Sequence, residues 1–141
     1  MYRVREGLTE FLLVHPGGPF WKGKDAGAWT IPKGEIGEGE DALAAAKREF
    51  EEELGFHAEG ELTELKPAKL KSGKIVRAWA FRGDCEPQHC KSNTFKIVWP
   101  PGSGRESEFP EVDQVRFFTF NEAKDKINPA QVPLLEQVLK G

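Results

Sequence analysis

Three observations in the sequence together predict a layered α/β domain. Short apolar runs near the N-terminus are each ended by glycine and proline, as strands often are. One segment, 41–54, contains neither residue and is rich in helix formers. Three later segments are rich in aromatic and β-branched residues, which favour strands. This order predicts a sheet covered by helices. With 141 residues and no linker or repeat, we expect one domain over 1–141.

The N-terminal part holds two predicted strands. Residues 11–14, FLLV, form an apolar run that the loop sequence HPGGP ends. Residues 28–31, AWTI, form a second short strand, which Pro32 and Gly34 stop. The glycine-rich sequence GEIGEGE, residues 34–40, then predicts a loop before the helix.

The helix predicted over 41–54 carries its own start and stop signals. Asp41 is a plausible N-cap, and Gly55 suits the left-handed position that ends a helix. Apolar residues spaced by four predict a buried stripe, which the small alanines bring close to a sheet: Ala42, Ala46, Phe50 and Leu54.

The C-terminal half predicts more sheet and a final helix. Residues 74–83, 94–100 and 113–120 have strand composition, whereas 102–111 is a polar segment expected to be a loop. Asn121 is the expected cap of a short helix that begins EAKDKI. Pro129 and Pro133 precede a last helix with an apolar face, formed by Leu134, Leu135, Val138 and Leu139.

Composition excludes two classes of partner. No apolar stretch approaches the roughly 20 residues of a membrane helix, and the start MYRVREGLTE lacks the apolar middle of a signal peptide. We therefore expect no membrane partner and a cytoplasmic location. A pI near 5.7 without a strong basic run argues against a nucleic-acid partner.

Cys85 and Cys90, with His89 between them, invite a zinc interpretation. Structural zinc needs four ligands at tighter spacing, and a fourth is not visible in the sequence. We interpret them as two reduced cysteines of a loop.

The acidic residues concentrate in one segment. Residues 34–56 hold eight acidic and two basic side chains, a net charge of −6, within a chain whose total is −3, so the remainder carries +3. On a helix, Glu49, Glu52 and Glu53 fall on one face as i, i+3 and i+4 neighbours and repel each other. Such a cluster of carboxylates suits Mg²⁺ or Mn²⁺. A merely solvated acidic face is the alternative that the glutamates alone leave open.

The spacing of this segment resembles the signature of the Nudix hydrolase family. The pattern is Gly34, five residues, Glu40, seven residues, then 48–56 as REFEEELGF. The resemblance implies an α/β/α sandwich with a mixed β-sheet, in which the signature forms a loop–helix–loop. It also implies hydrolysis of a nucleoside diphosphate linked to another group, with a divalent metal.

Further tracts resemble a bacterial Nudix subgroup likened to asymmetric diadenosine tetraphosphate hydrolases: HPGGPFW, DAGAWTIPKGE, SNTFKIVWPPGSGRESEFPEVD and EAKDKINPAQ. This implies a dinucleoside polyphosphate substrate. Two other possibilities stay open, a nucleoside triphosphate substrate and a non-catalytic nucleotide-binding module. One departure is that KSGK, residues 71–74, stands where such hydrolases tend to have a tyrosine.

The resemblance also implies roles for individual residues. Glu49, Glu52, Glu53, Glu111 and the Lys33 carbonyl are expected to bind the metal. Arg48, Glu52, Glu53 and Glu111 are expected to form the catalytic set, in which Arg48 orients a glutamate and either Glu52 or Glu111 is the general base. Glu106 and Glu108 are alternatives to Glu111, and Glu40 anchors the loop or binds through water.

Several basic and aromatic residues are candidate substrate contacts. We expect Lys33 to contact a phosphate. Arg77 and Trp79, which share strand parity, are the expected contacts to the nucleoside. Phe20, Trp21, Trp29 and Trp99 are further rings that suit a nucleobase, although each also suits the core. The chain is expected to be a monomer or a homodimer.

Overall fold

The computed structural model describes residues 1–34 and 37–141. Its helices are α1 (Ala42–Leu54), α2 (Phe120–Lys126) and α3 (Val132–Lys140), with 3-10 turns at Pro87–His89 and Pro129–Gln131. The strands, in chain order, are β1 (Tyr2–Arg5), β2 (Leu8–Pro16), β3 (Thr63–Glu64), β4 (Ala68–Lys69), β5 (Ile75–Val76), β6 (Trp79–Ala80), β7 (Thr94–Val98), β8 (Glu106–Pro110) and β9 (Val112–Thr119).

The centre of the fold is the antiparallel sheet β1-β2-β9. Parallel bridges join Tyr2 to Arg82 and Trp29 to Ile127, so strand pairing of both directions occurs around it. Strands β7 and β8 form a separate antiparallel hairpin, with Thr94 opposite Pro110 at one end and Val98 opposite Glu106 at the other.

Helices cover both faces of the central sheet, as predicted. Successive side chains of β2 point to opposite faces, so its apolar run divides between two clusters. Phe11 and Leu13 pack with residues of α2 and α3, whereas Leu12 and Val14 pack with Phe50 and Leu54 of α1. Burial on both faces explains why this strand is continuously apolar. The α/β fold class is confirmed.

Helix α1 begins and ends where its sequence predicts. The Asp41 carboxylate accepts a hydrogen bond from the Ala44 N–H at 3.1 Å, which satisfies a free donor of the first turn. Gly55 has a φ of 83°, and a Cβ there would lie 2.7 Å from the Lys91 carbonyl oxygen. Both the backbone conformation and the space therefore require glycine at this position.

Three local predictions are wrong. The polar segment 102–111 is not all loop, because 106–110 pairs with β7 as strand β8. The strand predicted over 74–83 is two short strands, β5 and β6. Helix α2 begins at Phe120, not after Asn121, because the Glu122 carboxylate accepts hydrogen bonds from the Thr119 N–H and hydroxyl at 3.0 Å each.

Within the described residues, no helix combines the length and the apolar character needed to cross a membrane.

Candidate active site

The acidic cluster lies on the C-terminal half of α1, next to the face of the helix that packs in the core. Phe50 is 5 % exposed and Leu54 1 % exposed. These two residues fix the helix rotation, so Glu49, Glu52 and Glu53 lie at the edge of the buried face and not on its outer side. Glu51 faces away from them and contacts His57 instead, at 3.0 Å.

Arg48 bridges the carboxylates on both sides of it. Its guanidinium forms a bidentate pair with Glu40, Nε to Oε2 at 2.8 Å and Nη2 to Oε1 at 2.9 Å. Its Nη1 donates to Glu49 at 2.9 Å and to Glu52 at 3.1 Å. These charge-assisted bonds lower the pKa of Glu40 to about 2 and raise that of Arg48. The Arg48 guanidinium therefore connects Glu40, which precedes the helix, to α1 and offsets the repulsion between the glutamates.

Glu53 is the buried member of the cluster, only 9 % exposed. The Lys33 backbone N–H donates a hydrogen bond to its carboxylate. Its second oxygen, Oε2, is buried without a hydrogen-bond partner among the residues that the structure describes. Burial, and then the nearby charges of Glu49 and Glu111, raise the pKa of Glu53 to about 8. When Glu53 is ionised, the nearby Lys33 ammonium offsets only a small part of the cost of burying its charge.

Glu111 reaches the cluster through the hairpin β7–β8. The Glu111 N–H donates to the Asn93 carbonyl at 2.8 Å, and the Asn93 N–H donates to the Glu52 carbonyl at 2.7 Å. These two bonds hold the base of the hairpin against the end of α1. Burial and the charges of Glu52 and Glu49 raise the pKa of Glu111. The structure thus brings Glu111 to the three helix glutamates, although 58 residues lie between Glu52 and Glu111 in sequence.

Gly34 makes room for the cluster. A Cβ on Gly34 would lie 1.9 Å from the carboxylate carbon of Glu49 and 2.0 Å from its Oε2. Any side chain there would push Glu49 away from Arg48. Lys33, the preceding residue, is exposed, and its ammonium lies close enough to Glu53 to lower the pKa of that carboxyl, against the larger effect of burial.

These carboxylates fit a hard divalent cation chemically. Mg²⁺ and Mn²⁺ prefer oxygen ligands, and Glu53 Oε2 is a buried oxygen that has no donor among the described residues. In the parts of the chain that the structure describes, three ligating side chains are nowhere already arranged around one point. The reason is that Arg48 draws Glu49 and Glu52 onto its guanidinium.

Arg77 and Trp79 do not join this cluster. The Arg77 guanidinium bonds Glu64 at 2.9 Å and lies 5.4 Å from the centre of the Trp79 ring. Both residues line an apolar cavity of about 90 Å³ beside Ala46 and Pro32, and its lining contains none of the four glutamates. Strand parity predicted correctly that the two share a face, but it did not say which part of the molecule that face meets.

A polar cavity beside Glu53 escaped the sequence interpretation. Its volume is about 440 Å³, and Ser92, Gln114 and Arg116 line it together with Glu53. The sequence of β9 does not place Arg116 beside Glu53 of α1, because that proximity depends on tertiary packing. Trp29 is 2 % exposed and belongs to the core, whereas Phe20 and Trp21 are exposed.

Comparison with known proteins gives one family. The family model described as NUDIX domain matches residues 1–138. A search of curated proteins found no match. Among solved structures, the chain is similar to an Ap4A hydrolase from C. elegans, solved as a binary complex. The identity is 24 %, the TM-score is 0.64, and the match covers 99 % of this chain and 91 % of that one. The NUDIX domain of Shewanella oneidensis NrtR complexed with ADP ribose matches at 15 % identity and the same TM-score, over 99 % of this chain and 81 % of that one.

Proposed function

The chain belongs to the Nudix family of hydrolases, which act on phosphoanhydride bonds, and on that premise we propose that it is a metal-dependent pyrophosphohydrolase of dinucleoside polyphosphates such as diadenosine tetraphosphate. The observation that carries the catalytic part is the meeting of Glu49, Glu52, Glu53 and Glu111 around one end of α1, with a buried oxygen of Glu53 unpartnered among the described residues. The intact glutamate set also argues against the alternative of a binding module without turnover.

In this proposal the four glutamates and the Lys33 carbonyl hold Mg²⁺ or Mn²⁺. Such a cation neutralises phosphate oxygens and lowers the pKa of water. Before a cation binds, Arg48 holds the carboxylates of Glu49 and Glu52 on its guanidinium, because it donates to both. Gly34 lets the Glu49 carboxylate occupy the space where a Cβ would stand.

Glu111 is our preferred general base. The base must accept a proton from water within hydrogen-bond reach of the phosphorus that is attacked. Arg48 donates to both oxygens of Glu52, at 3.2 and 3.1 Å, and so competes for the lone pairs that would accept a proton. Burial and neighbouring negative charge raise the pKa of Glu111, which makes its carboxylate a better proton acceptor than an ordinary glutamate. The Lys33 ammonium, exposed beside the cluster, is proposed to contact a phosphate.

The dinucleotide assignment is supported by sequence tracts over most of the chain and by the Ap4A hydrolase among the similar structures. One observation weakens the dinucleotide assignment and leaves a nucleoside triphosphate open as the second candidate. Residues 71–73, which stand in place of the expected tyrosine, form the turn between β4 and β5, where the Gly73 N–H donates to the Leu70 carbonyl at 2.9 Å. The chain's single tyrosine, Tyr2, lies in β1.

A product analysis tests the proposal and separates the alternatives. The protein is incubated with Mg²⁺ and, in parallel, with diadenosine tetraphosphate and each nucleoside triphosphate, and both products are identified chromatographically. ATP and AMP from the tetraphosphate are expected. Pyrophosphate release from triphosphates alone would favour the second candidate, and saturable nucleotide binding without turnover would favour the binding module. Since free cysteines and nucleotide substrates are typical of the cytoplasm, we also propose that location.

A further inference from the structure

Three aromatic side chains outside the acidic site lie in the loop after β2 and at the end of strand β7. We call Phe20, Trp21 and Trp99 the aromatic platform. Phe20 is 61 % exposed and Trp21 is 40 % exposed, which is unusual for side chains of this size. The Phe20 ring meets the half-buried Trp99 ring edge-on, with centroids 5.4 Å apart and planes at 77°. The core clusters do not include these rings.

The loop that carries Phe20 and Trp21 is bonded to the segment that carries Glu111. The Gly17 N–H donates to the Glu111 carbonyl at 2.9 Å, and a Cβ on Gly17 would lie 2.0 Å from the Pro110 carbonyl oxygen. A Cβ on Gly18 would lie 2.8 Å from the ring of Phe95. Because these two glycines have no side chain, the loop that carries Phe20 and Trp21 can lie directly against the hairpin β7–β8. A turn then follows, since the Trp21 carbonyl accepts from the Lys24 N–H at 3.1 Å.

The distance from the carboxylates to the platform suits a long ligand. Glu111 follows the pair Thr94 and Pro110 at the base of the hairpin. Trp99 lies five residues beyond Thr94, which corresponds to about 16 Å at the usual strand rise of about 3.3 Å per residue. Phe20 lies three residues after Gly17 and so within about 11 Å of it. A ligand that reaches from Glu111 to the Trp99 end of the hairpin would span a distance of that order.

The charges around the platform suit a polyanion. Lys22 and Lys24 flank Trp21 in sequence, and the Lys24 ammonium lies 5.4 Å from the centre of the Trp21 ring. Lys96 is exposed on the hairpin between Glu111 and Trp99. The rings thus stand beside ammonium groups that attract phosphates, and aromatic faces attract nucleobases of any identity.

We propose that the aromatic platform stacks the nucleobase of the nucleoside that lies farther from the cleaved phosphate of a dinucleoside polyphosphate. This inference rests on the proposed function and names the part of the chain that would hold the second nucleoside. A nucleoside triphosphate has only one base, so it cannot place one nucleoside beside the cleaved phosphate and a second one on the platform.

Binding without turnover tests the inference. Isothermal titration is done in Mg²⁺ with a diadenosine tetraphosphate analogue whose bridging oxygens are replaced by methylene groups, and separately with inorganic tripolyphosphate. For Phe20→Ala we expect about tenfold weaker binding of the analogue, within the range of a lost stacking contact, and unchanged binding of tripolyphosphate. Phe20→Tyr, which keeps the ring, is expected to bind like the wild type. The matched control is Ile75→Ala, which removes an apolar side chain that is 58 % exposed on β5.

The outcomes separate this inference from the proposed function. If Phe20→Ala binds the analogue as tightly as the wild type, or if the wild type does not bind it, the platform does not hold a nucleobase. Equal weakening for the analogue and for tripolyphosphate would also overturn the inference, because the ring would then act through the shape of the loop. The proposed function fails separately, when the wild type does not hydrolyse unmodified diadenosine tetraphosphate.

Discussion

Replacement of Glu53 by glutamine should stabilise the metal-free protein, and the gain should grow with pH. The Glu53 carboxyl is 9 % exposed, and its pKa lies at about 8, whereas an ordinary glutamate has a pKa of 4.5. A carboxyl whose pKa is raised on folding contributes stability that is fully present below pH 4.5 and is lost as pH rises through 8. Glutamine has a similar shape and no charge, so Glu53→Gln removes this loss.

The size of the effect follows from the two pKa values. At pH 7 the unfolded chain has released the Glu53 proton and the folded chain has largely kept it, which corresponds to about 3 kcal/mol of lost stability. At roughly 3 °C per kcal/mol for a chain of this size, the melting temperature of Glu53→Gln should exceed that of the wild type by about 10 °C at pH 7. Near pH 4.5 the two proteins should differ little in this respect.

Calorimetry in excess chelator measures the difference at pH 5, 6, 7 and 8. The matched control is Glu51→Gln, which removes an exposed carboxylate from the same helix and should give a small difference at every pH. A melting-temperature difference between Glu53→Gln and the wild type that does not change from pH 5 to pH 8 would refute the reasoning. It would mean that the folded protein solvates the ionised Glu53 as well as water does.

The other predictions concern turnover. Chelation should abolish hydrolysis, and added Mg²⁺ or Mn²⁺ should restore it; full activity in excess chelator would contradict the assignment of the glutamates to metal. Glu52→Gln should reduce kcat by at least about a hundredfold and leave the circular dichroism spectrum unchanged. The control Glu51→Gln should keep its activity. A near-normal kcat for Glu52→Gln would mean that this face of the helix is merely solvated. Hydrolysis of diadenosine tetraphosphate should be asymmetric and give ATP and AMP, with solvent ¹⁸O in one product, because fixed carboxylates and one neighbouring pocket set the position of the cut; two molecules of ADP would contradict that geometry.

The parts of the fold that the sequence predicted are those that local chemistry determines. Asp41 and Gly55 set the ends of α1 through a side-chain cap and a positive φ, and both features depend on neighbours along the chain. The apolar run at 11–14 predicted a strand for a similar reason, and the structure buries all four side chains because β2 is covered on both faces.

The parts that the sequence did not predict depend on distant partners. Strand β8 has the composition of a loop and becomes a strand because β7 supplies its hydrogen bonds. That pairing is also what carries Glu111 to Glu52, so the sequence could suggest Glu111 only through a family resemblance. Strand parity put Arg77 beside Trp79, as the structure has them, but the side of α1 on which they lie depends on how β6 packs.

Two separate interactions stabilise the acidic cluster when no metal ion is bound. Arg48 offsets Glu40, Glu49 and Glu52 by direct bonds, but its guanidinium does not reach Glu53 in the contacts that the structure describes. Glu53 is instead kept neutral by its proton below a pKa of about 8. A cation that binds this carboxylate has to displace that proton, so metal binding and proton release are coupled. The apparent affinity for Mg²⁺ should therefore rise by up to about tenfold per pH unit between pH 6 and pH 8, and titration in two buffers of different ionisation enthalpy measures the released proton. An affinity that is constant over this range, with no proton released, would place the cation away from Glu53.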